Sequence, residues 1–445
     1  MLPVRAIALA LLLAPLTASA QPAVTLQEAL LRAKPAVALV VAEVGGEVSV
    51  QCAANAPPTK VTPPPSRDTG TGWFIAPSGW LVTNAHVIAS TQRPSRSLVR
   101  ERTAQAIREA CGDTATGATA RAALEPSLTV LLPNGMKLLA TVVKYTLPVS
   151  GEEVSGQDLA LLHLEASDMP TLQLGDSSAL QIGDRIHIIG FPSVVLGHEL
   201  LNATAKMEAS ITSGSVSGLR RDRANQPVIQ TDASAAPGNS GGPALNEDGA
   251  VVGVLTFVAP GDDGERAAVQ GFNFVIPATA VAKFLEGTPV PRGERGRFDA
   301  AWEAGLHHYF LGNPRRAHTY LVEANRLLPD LPDVRRVAAD NDRRLAAEPW
   351  LPWRAIAVGM LVACALAYAA LAVRRMQRNR FRIPPSAVAQ LVDSPEPPVI
   401  LDVRDAPTYA KSPVKIPHSL HAPLDGLRRE DVPADLTRTV VAYCT

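Results

Sequence analysis

The sequence predicts a mainly β protein, either a sandwich or a barrel, from the end of a short N-terminal helix to about Leu285. Short β-branched and apolar runs recur throughout this region, and glycine-rich turns separate them. From Phe298 onward the apolar period becomes helical, so the β region ends before that point. The predicted strands are Val37–Val41, Gly70–Ile75, Trp80–Thr83, Leu128–Leu132, Ala140–Tyr145, Leu159–Leu164, Arg185–Ile189, Val228–Thr231 and Val251–Phe257.

Two helical segments are expected within the first part of the chain. Thr25 and Glu28 have the spacing of a capping box, which predicts a short helix through Ala33. Between Ser90 and Ala122 lies a polar, Arg-rich insertion whose middle predicts a second helix. We interpret the charges of this insertion as a solvated face, because charge runs are usually exposed.

Length and charge limit the function. The chain has 445 residues, enough to bury a large core without a disulfide scaffold. Its 42 Lys and Arg residues balance 42 Asp and Glu residues, so no bulk charge favours nucleic-acid binding. No grouping of Cys and His has the spacing of a metal site. The sequence therefore predicts neither a cofactor nor a metal.

The N-terminus has the pattern of an export signal over residues 1–20. A positive start at Arg5 precedes an apolar run and a small-residue end, Ala18 to Ala20. Cleavage after Ala20 is predicted, with an uncleaved anchor as the alternative. The segment that follows is then expected to leave the cytoplasm.

A second apolar stretch, residues 355–373, carries no charge and is long enough to span a membrane. Five arginines follow it and one precedes it, so the positive-inside rule places the C-terminus in the cytoplasm. The alternative is a buried core helix. We expect a single-pass protein of the inner membrane whose first part faces the periplasm or the cell exterior.

Residues 297–348 predict a small helical unit. Gly305, Gly312, Ala317, Ala324 and Pro329 fall at the spacings of a tetratricopeptide repeat. One repeat buries little surface by itself, so a juxtamembrane helical hairpin and a peptide-binding groove for a protein partner both remain open.

Three separate segments contain residue types that suit nucleophilic catalysis. His86 directly follows an apolar strand, where an imidazole can accept a proton from a hydroxyl. Asp158 precedes a buried strand, and a carboxylate there can fix the histidine tautomer. Ser240 lies among glycines that allow a tight turn, so the N–H groups of Gly238 and Ser240 can converge on an oxyanion. Each segment alone has a structural explanation; together they predict a catalytic triad.

These motifs resemble those of the trypsin-like serine proteases, and more closely the bacterial HtrA (Deg) branch. The resemblance covers about Pro35 to Leu285 and rests on the segments Ser78–His86, Ile211–Ser217, Gln230–Pro243 and Gly271–Pro277. It implies a protease domain over residues 24–287 with two six-stranded β-barrels and the active site between them. Cleavage of polypeptides would proceed through an acyl-enzyme.

The resemblance also suggests the substrate pocket. Ser234, Ala235 and Ala236 upstream of the serine, with Phe257 downstream, offer no acidic group for Lys or Arg. A small to medium apolar side chain at the cut site is therefore expected. Unlike the HtrA pattern, the chain has the helical unit and the span after Leu285 rather than a PDZ domain, so PDZ-based regulation is not carried over.

The last segment, residues 381–445, resembles the first half of a rhodanese domain. Apolar Val399–Leu401 precedes Asp402 and Arg404, and a second apolar run ends at Cys444, which matches the cysteine of that family. The loop that would complete the site does not follow Cys444, so a truncated or a vestigial domain is expected.

Two further points stay open at the level of sequence. Cys52 and Cys111 both lie in the exported part, where they could form a disulfide or remain free thiols. The alternatives to an enzyme are a protease-like module that binds unfolded chains, and a barrel that acts as a sensor for an active rhodanese-like tail. We favour the enzyme because a binder has no need for a complete triad and oxyanion glycines.

Overall fold

The computed structural model describes residues 24–112, 117–146, 157–222, 224–256, 272–348, 353–432 and 437–444. The chain divides into two compact units, Met1–Glu348 and Pro349–Thr445. The predicted signal, residues 1–20, lies outside the described residues.

The first unit contains fifteen strands among its described residues. In chain order they are β1 (Val37–Gly45), β2 (Val48–Gln51), β3 (Thr59–Val61), β4 (Ser66–Ala76), β5 (Trp80–Thr83), β6 (Thr119–Ala122), β7 (Glu125–Leu131), β8 (Lys137–Tyr145), β9 (Ala160–Leu164), β10 (Arg185–Gly190), β11 (Ser210–Arg221), β12 (Pro227–Thr231), β13 (Pro243–Leu245), β14 (Val251–Thr256) and β15 (Asn273–Pro277).

The helices of this unit lie at its start, between the strands and at its end. They are α1 (Leu26–Ala33), α2 (Ala85–Gln92), α3 (Arg96–Cys111), α4 (Ser193–Leu196), α5 (Ala203–Lys206), α6 (Ala278–Phe284), α7 (Arg297–Phe310), α8 (Pro314–Leu327) and α9 (Pro332–Ala347). The predicted N-terminal cap is present, since the Thr25 hydroxyl accepts a hydrogen bond from the Glu28 N–H.

Two closed barrels of six strands each form the body of the unit, which confirms the predicted fold. The first has the strand order β1-β4-β5-β9-β8-β7, and the second has the order β10-β11-β12-β15-β14-β13. Alternate residues point inward and are fully buried, for example Phe74, Leu81 and Leu162 in the first barrel. Ile186 and Leu255 do the same in the second barrel. Closure leaves no free strand edge in either barrel.

The predicted strands agree with the observed ones apart from their ends. β1 and β4 extend several residues beyond the apolar runs, because backbone pairing continues where the side chains become polar; Glu43 pairs with Arg67, for instance. The barrel strands β11, β13 and β15 and the short strands β2, β3 and β6 are not among the predicted ones; β13 has only three residues and begins where the glycine-rich serine segment ends. Phe257, the predicted end of one strand, lies outside the described residues.

The polar insertion contributes α3 and β6 to a small accessory unit, in which a sheet with the order β3-β2-β6 packs against α3. The interpretation of its charges as only a solvated face is wrong for Arg102. This side chain is buried, and its guanidinium donates hydrogen bonds to the carbonyls of Gly46, Pro63 and Pro64. Pro63 and Pro64 lie in a proline-rich loop and Gly46 lies in the turn between β1 and β2, all distant from α3 in sequence, so the periodicity of the helix could not predict these acceptors.

The three helices α7, α8 and α9 pack in sequence and share a core with the first barrel. The indole N–H of Trp302 donates to the Leu31 carbonyl at 3.1 Å. Asp299 near the start of α7 accepts from both the N–H and the hydroxyl of Thr171. Burial raises the pKa of Asp299, while the hydrogen bonds from Thr171 oppose that shift. The helices are therefore attached to the barrel by buried polar contacts as well as apolar ones.

The second unit begins with α10 (Trp353–Asn379), which contains the predicted span. Ala355–Asn379 is long and apolar enough to cross a membrane, with a mean hydropathy of 2.4 over its best window, and none of that window is buried. The helices α11 (Pro385–Val392) and α12 (Ala406–Lys411) follow, with a parallel sheet of β16 (Val399–Asp402), β17 (Leu420–His421) and β18 (Val440–Tyr443) in the order β17-β16-β18. The rhodanese-like interpretation stays a prediction.

Candidate active site

His86 lies at the start of α2, directly after β5. Asn84 precedes the helix with extended backbone, and its side-chain N–H₂ donates to the carbonyl of Asp158 at 2.7 Å. The His86 N–H donates to Oδ1 of Asp158 at 2.9 Å, and the ring Nδ1 lies 2.6 Å from Oδ2. Because Nδ1–H points at a carboxylate, the neutral ring carries its acceptor lone pair on Nε2.

Asp158 lies two residues before the first residue of β9, Ala160, and is 5% exposed. Besides the two contacts with His86, its Oδ2 accepts a hydrogen bond from the Thr256 hydroxyl at 3.0 Å. Thr256 ends β14 in the second barrel. A buried carboxylate with three donors of this kind is held in one orientation.

Ser240 is 4% exposed and lies in a tight turn before β13. Its carbonyl accepts from the Thr71 N–H of β4 at 2.8 Å. The next residue, Gly241, has φ of +87°, and a Cβ there would lie 2.1 Å from the Thr71 carbonyl oxygen and 3.0 Å from the N of Asn84. Only glycine fits this position, and its fit brings Ser240 to the strands of the first barrel that lead to His86.

The backbone N–H groups of Gly238 and Ser240 donate to no protein acceptor within the described residues. Gly238 has φ of +94°, a conformation that favours glycine. The other N–H groups of this turn all have acceptors: Asn239 donates to Ala236, Gly241 to Leu255 and Gly242 to Asn239. Buried N–H groups are nearly always paired, so two unpaired donors two residues apart are suited to an external acceptor.

The predicted pocket residues lie just upstream of the turn. The carbonyl of Ser234 accepts from the Thr212 hydroxyl at 2.7 Å, and that of Ala236 accepts from the Asn239 N–H. Ala235 packs against the core of the second barrel. Phe257 lies outside the described residues. The described residues of the predicted pocket thus have small side chains, and none of these is acidic.

Sequence reasoning missed two polar residues of the site, Thr256 and Asn84. Thr256 ends a run of buried apolar residues, and a hydroxyl at such a position needs a partner. Asn84 was part of the histidine motif but received no role. The partners of both lie more than 70 residues away in the chain.

The two predicted cysteine features are outside this site. Cys52 and Cys111 form a disulfide with their Cα atoms 5.6 Å apart, joining the residue after β2 to the last residue of α3. Cys444 is free and exposed at the end of β18. In the same unit, buried Arg404 and the Tyr443 hydroxyl both donate to Asp402, and these hydrogen bonds hold the pKa of Asp402 far below its usual range. Within the described ranges no group of His, Cys, Asp and Glu could hold a metal ion.

Comparison with known proteins identifies the class of this domain. Residues 70–254 match the family model of the trypsin-like peptidase domain. This segment contains His86, Asp158 and Ser240 and most strands of both barrels. The chain therefore carries a trypsin-like peptidase domain.

Within that class the chain is similar to HtrA and DegP proteins, as its motifs predicted. It is 28% identical over 235 residues to a probable periplasmic serine endoprotease DegP-like of Chlamydia pneumoniae, covering 52% of this chain and 36% of the relative. It is 29% identical over 230 residues to a putative serine protease HhoB of Synechocystis, covering 50% of this chain and 41% of the relative. The chain thus spans well under half the length of these relatives.

A solved structure of an HtrA-type protease, AlgW with a decapeptide, is 23% identical to this chain. The match covers 59% of this chain and 66% of that one, with a TM-score of 0.37.

Proposed function

We propose that this chain is a serine endopeptidase that cleaves polypeptides through an acyl-enzyme, with His86, Asp158 and Ser240 as its triad. The single observation that supports this most strongly is a serine turn with two unpaired N–H groups that is bonded to the first barrel, where the His86–Asp158 pair lies: the Thr71 N–H donates to the Ser240 carbonyl at 2.8 Å. Two N–H donors without acceptors at buried residues would destabilise a turn whose role is only structural. The similarity to DegP-like endoproteases supports the same reaction.

In this mechanism Nε2 of His86 accepts the proton of the Ser240 hydroxyl as the oxygen attacks the substrate carbonyl. Asp158 stabilises the imidazolium through the 2.6 Å contact with Nδ1. The Gly238 and Ser240 N–H groups bind the oxyanion of the tetrahedral intermediate. The imidazolium then protonates the leaving amine, and a water molecule hydrolyses the acyl-enzyme by the same steps in reverse order.

The proposal is tested with the full chain in detergent. A fluorophosphonate probe should label the wild type and fail to label Ser240→Ala. The matched control is Ser97→Ala, because Ser97 is an exposed serine on α3 with no place in the mechanism. Loss of Ser240 should reduce turnover by about a million-fold. Equal labelling of wild type and Ser240→Ala, or no labelling of the folded wild type, contradicts the proposal and favours a binding module.

The small side chains at Ser234, Ala235 and Ala236 support a preference for small to medium apolar residues at the cut site. A set of peptides that differ only at that residue tests this preference. Faster cleavage after Lys or Arg than after Ala or Val would contradict it.

We further propose that residues 1–20 direct export and that residues 355–373 anchor the chain in the inner membrane, with residues 24–287 outside the cytoplasm. The Arg-rich flank of α10 and the periplasmic description of the DegP-like relatives support this topology. Exposed Cys444 provides a test in a Cys364→Ser background. A membrane-impermeant maleimide should label it only after the cells are permeabilised; labelling of intact spheroplasts would reverse the topology.

A further inference from the structure

The two carbonyl groups next to the Gly238 N–H are both held by hydrogen bonds from other parts of the chain. The carbonyl of Pro237 accepts from the Ser193 N–H at 2.8 Å. The carbonyl of Gly238 accepts from the Thr71 hydroxyl at 2.7 Å. Because a peptide group is planar, the bond to Pro237 also sets the direction of the Gly238 N–H. The bond to the Gly238 carbonyl likewise sets the direction of the next peptide, between Gly238 and Asn239.

Thr71 connects the two barrels at this point. Its hydroxyl is fully buried, donates to Gly238 and accepts from the Phe191 N–H at 3.0 Å. Its backbone N–H donates to the Ser240 carbonyl at 2.8 Å. One residue of β4 therefore contacts both residues whose N–H groups are unpaired. The two partners of its hydroxyl, Phe191 and Gly238, lie 120 and 167 residues away in the chain.

The surrounding backbone is packed closely enough to make these contacts specific. A Cβ on Gly190 would lie 3.0 Å from the Thr71 Oγ1, and a Cβ on Gly238 would lie 2.4 Å from the Phe191 carbonyl oxygen. Glycine at position 238 has wide backbone freedom, so the peptides on either side of it can rotate unless other groups hold them. Here the Ser193 N–H holds the preceding peptide and the Thr71 hydroxyl holds the following one.

We propose that Thr71 is a positioning residue for the oxyanion site. Its hydroxyl acts through the Gly238–Asn239 peptide, which lies between the two N–H donors, rather than on the substrate, and the Ser193 N–H fixes the peptide that carries the Gly238 N–H. This inference rests on the proposed function and adds to it the residue that keeps the oxyanion donors pointing into the cleft. Thr71 comes from the first barrel, so the orientation of the donors depends on how the two barrels meet.

The test compares Thr71→Val, which keeps the shape and loses the hydroxyl, with Thr71→Ser, which keeps the hydroxyl. The substrate is an N-acyl-alanine p-nitrophenyl ester, and the inhibitor is the matching trifluoromethyl ketone, whose adduct places an oxyanion in the site. Thr71→Val should lower kcat about 10- to 100-fold. Removal of an oxyanion donor itself lowers kcat about 100- to 1000-fold, and loss of a positioning group should have a smaller effect. KM should stay unchanged and the inhibition constant should rise by the same factor as kcat falls. Thr71→Ser should restore both.

A merely structural role for Thr71 would reduce the amount of folded protein without changing kcat per titrated active site. If Thr71→Val does not fold, Ser193→Pro provides the second measurement. Ser193 is exposed and begins α4, where proline is tolerated, so this change removes the N–H donor with little other disturbance. Ser193→Ala is the matched control, since it keeps the N–H.

Three results separate the outcomes. A fall in kcat and in inhibitor affinity for Thr71→Val or Ser193→Pro, with normal values for Thr71→Ser and Ser193→Ala, supports the proposal. Unchanged kcat and inhibitor affinity in the folded variants overturn the positioning role and leave the serine peptidase intact. A wild type without Ser240-dependent turnover overturns both.

Discussion

The hydroxyl of Thr256 donates to the same carboxylate oxygen of Asp158 that faces Nδ1 of His86. The two contacts measure 3.0 Å and 2.6 Å. Asp158 and His86 belong to the first barrel and Thr256 belongs to the second. The orientation of the carboxylate therefore depends on contacts from both barrels.

Replacing Thr256 with Val removes one donor from this carboxylate while keeping the volume of the side chain. We expect kcat/KM to fall at least about tenfold, because one hydrogen bond to a charged group contributes about 1.5–3 kcal/mol and about 1.4 kcal/mol corresponds to tenfold in rate. Thr256→Ser should retain most of the activity. Steady-state kinetics with active-site titration measures the change, and wild-type kinetics for Thr256→Val would show that the contact is dispensable.

His187 in the second barrel should make stability depend on pH. The residue is 2% exposed, its Nδ1 contacts the Ser213 hydroxyl at 2.7 Å, and its Nε2 has no hydrogen-bond partner in the described structure. Burial, aided by the charge of Arg185, lowers the pKa of His187. The unfolded chain therefore binds this proton first, so stability is complete above the ordinary histidine pKa of about 6.5 and falls as the pH drops below it.

The slope from this one group cannot exceed about 1.4 kcal/mol per pH unit. His187→Asn keeps a polar group near Ser213 and removes the titration. Thermal unfolding of both proteins between about pH 5 and pH 8 should give curves whose difference changes only on the acid side. A difference that is constant with pH would contradict this prediction.

The disulfide between Cys52 and Cys111 should stabilise the accessory sheet without affecting catalysis. It closes a loop of 59 residues, and the chain-entropy model gives about 4 kcal/mol for a loop of this length. Reduction, or the double change to alanine, should increase hydrogen exchange in β2, β3, β6 and α3. Fluorophosphonate labelling of Ser240 should stay at the wild-type level. A parallel loss of labelling would mean that the insertion supports the active site.

An ion pair joins the loop before β11 to the helical segment. Glu208 lies 2.7 Å from Arg336 on α9, and this contact raises the pKa of the Arg336 guanidinium. The pair is partly exposed, so its loss should change the free energy of unfolding by less than about 1 kcal/mol. Arg336→Gln should nevertheless increase hydrogen exchange in residues 193–206. Exchange equal to that of the wild type would show that the helices do not restrain this loop.

Much of the fold was predictable because its signals are local. Apolar alternation and glycine turns identified most barrel strands, and the Thr25 cap and the α3 helix were also read from neighbouring residues. Local signals were weaker where pairing partners are distant. Strand β13 has only three residues, and the accessory sheet pairs residues such as Val48 and Ala122 that lie far apart in the chain. The interpretation of Arg102 was wrong for the same reason, since its acceptors come from a turn and a loop that are distant in the chain.

The sequence alone determined which residue types stand in the site: a histidine after a strand, an aspartate before a strand and a serine between glycines. Only the tertiary structure decided how they are held. Thr71 and Thr256 look like ordinary strand residues, and their hydrogen bonds to Gly238 and Asp158 span 167 and 98 residues. A buried hydroxyl almost always forms a hydrogen bond. Its partner here is determined by the packing of the two barrels against each other, and no local sequence pattern predicts that contact.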